Sequence, residues 1–265
     1  MSKQVMDLSD GGPDFSGVVM DKVRIDQLLV VRGFFESRAA AQASIAAGGV
    51  LVDGKAIEKS SSKVRADADI SAVAAHPYVS RGGLKLAHAL DVFTIDPSGW
   101  RCLDLGASTG GFIDVLLRRG AAHVISVDVG HGQLHHSLRD HADVMVLEQT
   151  DVRELSLDNV GPDIQLIVGD LSFISLEKAL PAALALVGEQ CQLVMLFKPQ
   201  FEVGRDFVGK GGIVTDSSAV SHAKHRFQEW LSGRHWQVLG WTDSPITGGD
   251  GNREYLIHAV KQISA

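Results

Sequence analysis

Apolar residues near the start of the chain follow a helical spacing. Ile25, Leu28 and Leu29 share one helical stripe and predict a first helix. Ser37 is a favourable N-cap residue, so a second helix is expected over Arg38–Ala47, where two glycines close it. The pattern therefore predicts two consecutive helices joined by a short loop.

The spacing then changes to that of short strands. Val50–Val52 and Lys55–Ile57 flank Asp53-Gly54, a pair typical of two-residue hairpin turns. Another strand is expected at Ile70–Ala75. Two helices followed by a small sheet predict a compact domain at this end of the chain.

From Trp100 onward, strand-like and helical segments alternate. We expect strands at Cys102–Leu105, Val124–Val129, Val144–Leu147, Ile164–Gly169, Leu193–Phe197, Trp236–Trp241 and Tyr255–Val260. Helices are expected at Phe112–Arg119, Gln133–Arg139, Leu176–Val187 and Ser218–Leu231. Such alternation is typical of a doubly wound α/β sheet of the Rossmann-like kind. The last two strands have no helix between them, so we expect an antiparallel pair at one edge.

Composition bounds the class of protein. The chain has 265 residues, 45% of them hydrophobic, which suffices for a large globular domain plus a small one. Its apolar runs are far shorter than the ~20 residues of a membrane-spanning helix, and its start does not resemble a secretory leader. Cys102 and Cys191 lie in apolar strand-like runs, so we expect buried thiols and a reducing, cytoplasmic location.

The net charge of −7 is unevenly distributed along the chain. Residues 1–21 sum to −3 and lack a sustained period, which predicts a disordered tail. Residues 22–76 carry eight Lys and Arg against six Asp and Glu, and residues 77–265 account for the remaining −6. Only the middle segment is basic, so a polyanionic partner is expected there and not across the whole chain.

The basic segment carries a recognisable motif. It runs Arg24-Ile25-Asp26-Gln27-Leu28-Leu29, then Ser37-Arg38, then Val50-Leu51-Val52-Asp53-Gly54-Lys55. This pattern resembles the alpha-L RNA-binding motif of a small-subunit ribosomal protein family and of several RNA-modifying enzymes. The resemblance implies phosphate contacts at Arg24, Arg32, Arg38 and Lys55. The alternative is a small helical domain with ordinary solvated charges.

A glycine-rich turn follows the first strand of the second domain. Its sequence is Asp104-Leu105-Gly106-Ala107-Ser108-Thr109-Gly110-Gly111-Phe112. Ser108 replaces the second glycine of a dinucleotide fingerprint, and the lysine of a P-loop is missing. The strand-end acid two positions before Gly106 resembles instead the S-adenosylmethionine loop of Rossmann-like methyltransferases.

Acidic residues also follow the next strands. Asp128 is placed to accept the hydroxyls of a ribose, and Asp151 is placed where such methyltransferases contact adenine. Any one of these acids could be a solvated loop residue, but acids at consecutive strand ends favour a ligand site. The resemblance implies cofactor contacts at Asp104, Gly106, Ala107, Ser108, Gly110, Gly111, Phe112, Asp128, Asp151 and Asp170.

Four residues indicate the methyl acceptor. Lys85, Asp170, Lys198 and Glu254 resemble the Lys-Asp-Lys-Glu tetrad of FtsJ-type ribose 2′-O-methyltransferases. The surrounding stretches, among them Ser80-Arg81-Gly82-Gly83-Leu84-Lys85 and Lys198-Pro199-Gln200-Phe201-Glu202, resemble the TlyA family, which methylates cytidine ribose in ribosomal RNA. The fourth strand lacks the prolines of amino-group methyltransferases, and Cys191 begins its strand, away from the expected site. We therefore expect an S-adenosylmethionine-dependent enzyme acting on ribosomal RNA or ribosomal subunits.

The chemistry requires such residues. A ribose hydroxyl is a poor nucleophile, so its proton must leave as the new bond forms. Lys198 is assigned as the base or as the stabiliser of the forming alkoxide, with the other three residues positioning it. Arg81, Arg205 and Lys210 are expected to contact RNA phosphates, the last two from a long loop over Gly204–Thr215.

Other readings remain open from the sequence. His131, His135 and His136 have a spacing found in metal sites, since His131 and His135 are expected to share a helical face. No third ligand of fixed spacing accompanies them, so no metal is expected. A cytolysin is a second hypothesis, since members of the TlyA family carry a haemolysin name, although no membrane-inserting segment is visible. A non-catalytic RNA-binding protein of the ribosome is a third.

Overall fold

The computed structural model describes residues 22–262, so the tail predicted over residues 1–21 lies outside the described residues. The described chain forms two compact units that meet in sequence between Pro77 and Tyr78. The first unit has one apolar core, and the second has an apolar core on each face of its large sheet. Each unit is described by itself below.

The first unit packs two helices against short strands. The helices are α1 (Ile25–Val31) and α2 (Arg38–Ala46), and the strands are β1 (Lys22–Arg24), β2 (Val50–Val52), β3 (Lys55–Ala56), β4 (Lys63–Arg65) and β5 (Ile70–Ala72). Asp53 and Gly54 have φ of 49° and 75°, as a two-residue hairpin turn of type I′ requires. The antiparallel β1–β4 pair is absent from the sequence-based prediction, because three residues between loop-like stretches show no clear alternation.

The second unit alternates helices and strands. Its helices are α3 (Gly82–Phe93), α4 (Gly111–Arg118), α5 (His136–Arg139), α6 (Leu157–Val160), α7 (Leu176–Ala179), α8 (Pro181–Ala185), α9 (Pro199–Glu202) and α10 (Ser217–Ser232). Its strands are β6 (Arg101–Leu105), β7 (His123–Val127), β8 (Val144–Leu147), β9 (Leu166–Gly169), β10 (Gln192–Phe197), β11 (Trp236–Asp243) and β12 (Tyr255–Lys261). Short 3-10 turns lie at Val152–Glu154, Arg205–Phe207 and Lys210–Gly212.

The seven strands form one sheet in the order β11-β12-β10-β9-β6-β7-β8. The strands from β10 to β8 are parallel, while β12 runs antiparallel to both β10 and β11. The predicted doubly wound sheet with an antiparallel edge pair is thus confirmed. The strand order reverses between β6 and β9, and the crevice at the carboxyl ends of such strands is where α/β sheets bind ligands.

Two predicted helices differ from the structure. The helix expected over Leu176–Val187 is interrupted, because Pro181 lacks an N–H and begins the separate helix α8. The helix expected over Gln133–Arg139 begins only at His136, so His131 does not share a helical face with His135. The long helix α3 was outside the prediction, although its residues 82–93 carry the first tetrad lysine.

Candidate active site

Two adjoining cavities open at the carboxyl ends of β6, β9 and β10. The first has a volume of about 460 Å³ and is lined by the glycine-rich turn and all four tetrad residues. The second, of about 590 Å³, extends past Asp128 and Asp151. Both are bordered by the loop after β9, so they form one cleft on either side of that loop.

The structure brings the tetrad together as two linked ion pairs. Lys85 Nζ lies 2.6 Å from Glu254 Oε2 and 3.6 Å from Asp170 Oδ2. Lys198 Nζ lies 2.5 Å from the other oxygen of Asp170. The side chains of Lys85 and Glu254 are 6% and 2% exposed. Asp170 therefore bridges the two ammonium groups, and the Lys85–Glu254 pair is the buried half of the cluster.

Close backbone packing places Lys85 in the cleft. A Cβ at Gly83 would lie 2.6 Å from Cγ of Tyr78, and one at Gly111 would lie 2.8 Å from the Gly83 nitrogen. The buried Asp114 of α4 accepts the N–H of Val79 at 2.9 Å and fixes the segment before α3. The two glycines thus let the starts of α3 and α4 approach each other, which points Lys85 at Glu254.

Lys198 follows the last residue of β10 and occupies the N-cap position of α9 in an extended conformation. Its ammonium group also donates to Oγ of Ser172 at 2.8 Å. An ammonium group has three donors, and Asp170 and Ser172 account for two of them. The remaining donor is available to a group inside the cavity that Lys198 lines.

The glycine-rich turn holds its backbone against the loop after β9. Gly106 has φ of 81°, and a Cβ there would lie 3.0 Å from the Asp170 carbonyl oxygen. Ser108 replaces a glycine yet still adopts a φ of 49°, and its N–H donates to Asp128 at 2.8 Å. Ala107, Gly111 and Phe112 also line the cleft. Gly110 lines neither cavity, and a Cβ there would lie 2.4 Å from a methyl group of Leu138.

Asp104 is the most unusual acid of the site. The residue is 1% exposed, and neither carboxylate oxygen has a hydrogen-bond partner among residues 22–262. Burial, with the nearby Asp170 and Asp128 carboxylates, raises the pKa of Asp104 well above its usual range. A buried carboxylate without a partner is costly unless a cationic ligand neutralises it. Asp104 therefore fits the ammonium end of an amino-acid-like ligand.

The other two strand-end acids are held differently. Asp128 accepts backbone N–H groups from Ser108 and Gly130, at 2.8 and 2.7 Å, which orients its carboxylate beside the second cavity. Asp151 also lines that cavity, but Arg153 pairs with it and lowers the pKa of the carboxyl to about 2. Asp128 thus fits the predicted ribose contact, whereas Asp151 would have to share its oxygens with Arg153.

The rim of the cleft holds groups that sequence reasoning did not single out. Phe173 is 92% exposed, has φ of 67°, and its ring centroid lies 5.4 Å from that of Phe201. Gln200 and Asp250 line the same cavity and approach each other at 3.4 Å. Both phenylalanines lie within three residues of a tetrad member, so the motif stretches themselves were the available signal.

Of the three basic residues predicted to contact RNA phosphates near the active site, only Arg81 lines the cleft. Arg81 immediately precedes α3 and lines the cavity, whereas Arg205 and Lys210 are exposed in the loop after α9. That loop is tied down by the buried Asn252, which accepts the N–H of Val214 at 2.9 Å and donates to the Gly212 carbonyl at 2.8 Å. The loop is therefore anchored two residues before Glu254.

In the first unit, the arginines predicted to bind RNA surround a buried acid. Asp26 is fully buried and accepts two hydrogen bonds from Arg24, one from Arg38 and one from Gln42. These donors, Arg24 foremost, hold the pKa of Asp26 well below its usual range. The Arg24 and Arg38 side chains remain 38% and 51% exposed. Their guanidinium groups are therefore held in place while keeping a solvent-facing side.

The remaining two predicted contacts differ. Arg32 donates to the carbonyl of Ala68 at 2.6 Å and lies over the ring of Phe34. Lys55 is exposed on β3, next to the hairpin turn. Arg32 is thus held by the backbone of its own unit, while the described contacts leave Lys55 in solvent.

Family models and relatives agree with this architecture. The FtsJ-like methyltransferase model matches residues 78–261, and the S4 domain model matches residues 23–70. The fold and site therefore define a methyltransferase of the FtsJ type that carries an S4 domain.

Similar proteins narrow this class. The chain is 44% identical over 242 residues to the 16S/23S rRNA (cytidine-2′-O)-methyltransferase TlyA of Mycobacterium tuberculosis, covering 89% of each protein. It is 37% identical to Hemolysin A of Brachyspira hyodysenteriae over 90% of this chain and all of that protein. A solved structure of a hemolysin-named protein from Streptococcus thermophilus aligns with a TM-score of 0.72 and 38% identity, covering 92% of this chain and 90% of that one. The chain belongs to the TlyA family.

The structure also bears on the cytolysin hypothesis, which requires a segment that inserts into a membrane. Among residues 22–262, no helix combines the length and apolar character needed to cross a bilayer.

Proposed function

We propose that this protein transfers a methyl group from S-adenosylmethionine to a ribose 2′-hydroxyl, with cytidine in ribosomal RNA as the acceptor. The observation that carries the proposal is the tetrad, in which Lys198 and Lys85 share the Asp170 carboxylate in the lining of an open cavity. The name of the Mycobacterium relative supports the same acceptor. The S4 domain supports an RNA partner.

The cleft fits the proposed methyl donor. The unpaired Asp104 carboxylate suits an ammonium group, and Asp128 suits paired ribose hydroxyls. Gly106 lets the turn pack closely against the Asp170 backbone, where a side chain would clash, and the turn lines the cleft beside the proposed ligand. When bound, S-adenosylmethionine supplies an electrophilic methyl group on a sulfonium.

Lys198 acts directly on the acceptor. Two of its donors are engaged by Asp170 and Ser172, which leaves the third for the 2′-oxygen. It either takes the hydroxyl proton as a neutral amine or stabilises the forming alkoxide as a cation. A Lys198→Arg variant separates the two roles, because a guanidinium keeps its charge and cannot take a proton.

The other three residues position Lys198. Asp170 fixes one side of its ammonium group, and Lys85 holds the second Asp170 oxygen. Glu254 in turn holds Lys85. Phe173 and Phe201 offer an exposed aromatic surface next to Ser172 on which an unstacked base can lie.

The test is methyl incorporation from labelled S-adenosylmethionine into ribosomal RNA and ribosomal subunits, with the 2′-O-methyl sites mapped. We expect wild type to methylate a ribose, and Lys198→Ala to lose at least about a hundredfold in rate. An RNA with a 2′-deoxy target nucleotide is the control and should accept no methyl group. Methylation of a base, or unchanged rate in the Lys198→Ala variant, would contradict the proposal.

A further inference from the structure

Glu202 is a buried acid at the end of α9, four residues after Lys198. The residue is 4% exposed, and its Oε1 accepts the N–H of Leu176 at 2.9 Å. Its Oε2 has no hydrogen-bond partner among residues 22–262. The tetrad assignment leaves this group without a role, although it lies on the same short helix that begins after Lys198.

The hydrogen bond from Leu176 to Glu202 satisfies a backbone N–H at the start of α7. Leu176 is the first residue of α7, and Ser175 before it provides no side-chain cap. An uncapped N–H at a buried helix start is unfavourable, so Glu202 serves as the cap from another element. The carboxylate thereby joins the start of α7 to the end of α9.

The segment between β9 and α7 carries most of the acceptor side of the site. Asp170 begins it, Ser172 bonds Lys198, and Phe173 lies at the rim with its strained positive φ. At its start, the Asp170 N–H donates to the Leu105 carbonyl at 3.1 Å. At its end, Leu176 is held by Glu202. The segment is therefore fixed at both ends, and the second fixed point belongs to the helix that carries Lys198.

A third element completes the junction. Arg226 of α10 donates to the main-chain carbonyl of Glu202 and to the side chain of Glu177, both at 2.8 Å. Arg226 and Glu177 are the charged groups that face Glu202 from α10 and α7. Burial raises the pKa of Glu202 to about 7. Glu202 thus lies at the junction of α7, α9 and α10.

We propose that Glu202 is a positioning residue for methyl transfer: its bond to Leu176 sets where the Asp170–Ser175 segment lies against Lys198. This inference rests on the proposed function, since it concerns the geometry of the same reaction. A displacement of about 1 Å at a reacting group can cost on the order of a hundredfold in rate. Loss of the bond should therefore lower kcat, whereas Asp104 and Asp128 lie outside this segment and remain in place to hold the cofactor.

The test compares substitutions at Glu202 with one at Glu177. Glu202→Gln keeps an acceptor for the Leu176 N–H, and Glu202→Met keeps the length of the side chain but removes the acceptor. Glu202→Asp keeps the carboxyl group but withdraws it from the Leu176 N–H. Glu177→Gln is the matched control, because it alters the Arg226 pair and leaves the Glu202–Leu176 bond in place. Each variant is assayed for kcat and KM on ribosomal RNA. Calorimetric titration with S-adenosylhomocysteine gives the Kd and the binding stoichiometry.

We expect kcat to fall about tenfold or more in the Met and Asp variants, with the Kd and stoichiometry for S-adenosylhomocysteine unchanged within about twofold. The Gln variant and the Glu177 control should retain wild-type kcat. Wild-type kcat in the Asp variant, or a parallel loss of ligand binding, would overturn the inference. If the Met variant does not fold, the comparison of Asp with Gln decides. If wild type itself methylates no RNA, the proposed function fails instead.

Discussion

The buried Lys85–Glu254 pair yields the sharpest test of how the site is built. A Lys85→Met variant keeps the length of the side chain and removes its charge. Glu254, 2% exposed in its side chain, then remains without its 2.6 Å partner. Breaking a buried ion pair in this way costs about 3–5 kcal/mol. For a unit of this size, that corresponds to a fall in Tm of about 6–20 °C.

The two ends of the pair should respond unequally. In a Glu254→Gln variant, Lys85 still has the Asp170 carboxylate at 3.6 Å, so its charge keeps a partner. We expect about half the loss of stability seen for Lys85→Met. A Lys85→Met/Glu254→Leu double variant removes both charges and should recover to within about 1–2 kcal/mol of wild type, because an apolar pair of similar volume can replace a buried ion pair.

Thermal and urea unfolding measure the stabilities, and methyl incorporation is measured on the same samples. The double variant is the informative one, since we expect it to be folded and yet inactive. A Lys85→Met variant within about 2 °C of the wild-type Tm would refute the energetic reasoning. A fully active double variant would refute the role of the pair in positioning Asp170.

Three further predictions follow from charged groups. The raised pKa of Asp104 means that its carboxyl keeps a proton to higher pH than usual in the free protein, and it should release that proton when the ammonium group of S-adenosylhomocysteine binds. The affinity of wild type for this ligand should therefore rise with pH. The proton release, measured by calorimetry in buffers of different ionisation enthalpy, should vanish in Asp104→Asn. Glu202 has a pKa of about 7 against an ordinary 4.5, so the folded state binds the extra proton between these values and stability should fall by about 3 kcal/mol as pH rises through that window. Unfolding curves of Glu202→Gln should lack this fall, and an equal slope in both proteins would contradict the assignment. Arg38→Ala should weaken RNA binding and reduce its salt dependence by about one ion, while Arg65→Ala, which removes an exposed pair of the same unit, should not.

Much of the architecture was accessible from the chain alone. Both ends of every strand in the second unit were predicted to within two residues, since apolar runs bounded by turns are a local property. The hairpin at Asp53-Gly54 follows from residues that tolerate positive φ. Helix boundaries were less accessible, and Pro181 shows why: the apolar pattern continues past it, but the backbone hydrogen bonding does not.

The side chains proposed for the reaction could also be identified from the sequence, because they lie in recognisable motifs. The four tetrad residues could be named from their motif stretches, and the cleft brings all four together. The spatial arrangement of these four residues could not be predicted from the sequence. Lys85 and Glu254 are 169 positions apart, and only the docking of α3 on α4 and the antiparallel entry of β12 beside β10 make them neighbours.

Only the tertiary structure determines the burial and the partners of each acidic group. Asp104 and Asp151 look alike in sequence, yet one is buried without a partner and the other is held by Arg153. In the sequence, Glu202 is only the last residue of the stretch that begins at Lys198. The tertiary structure shows that its carboxylate caps α7. The physical reason is that residue identity and spacing determine local structure and available chemistry, whereas burial and partners arise from elements distant in sequence and set the charge and position of each group.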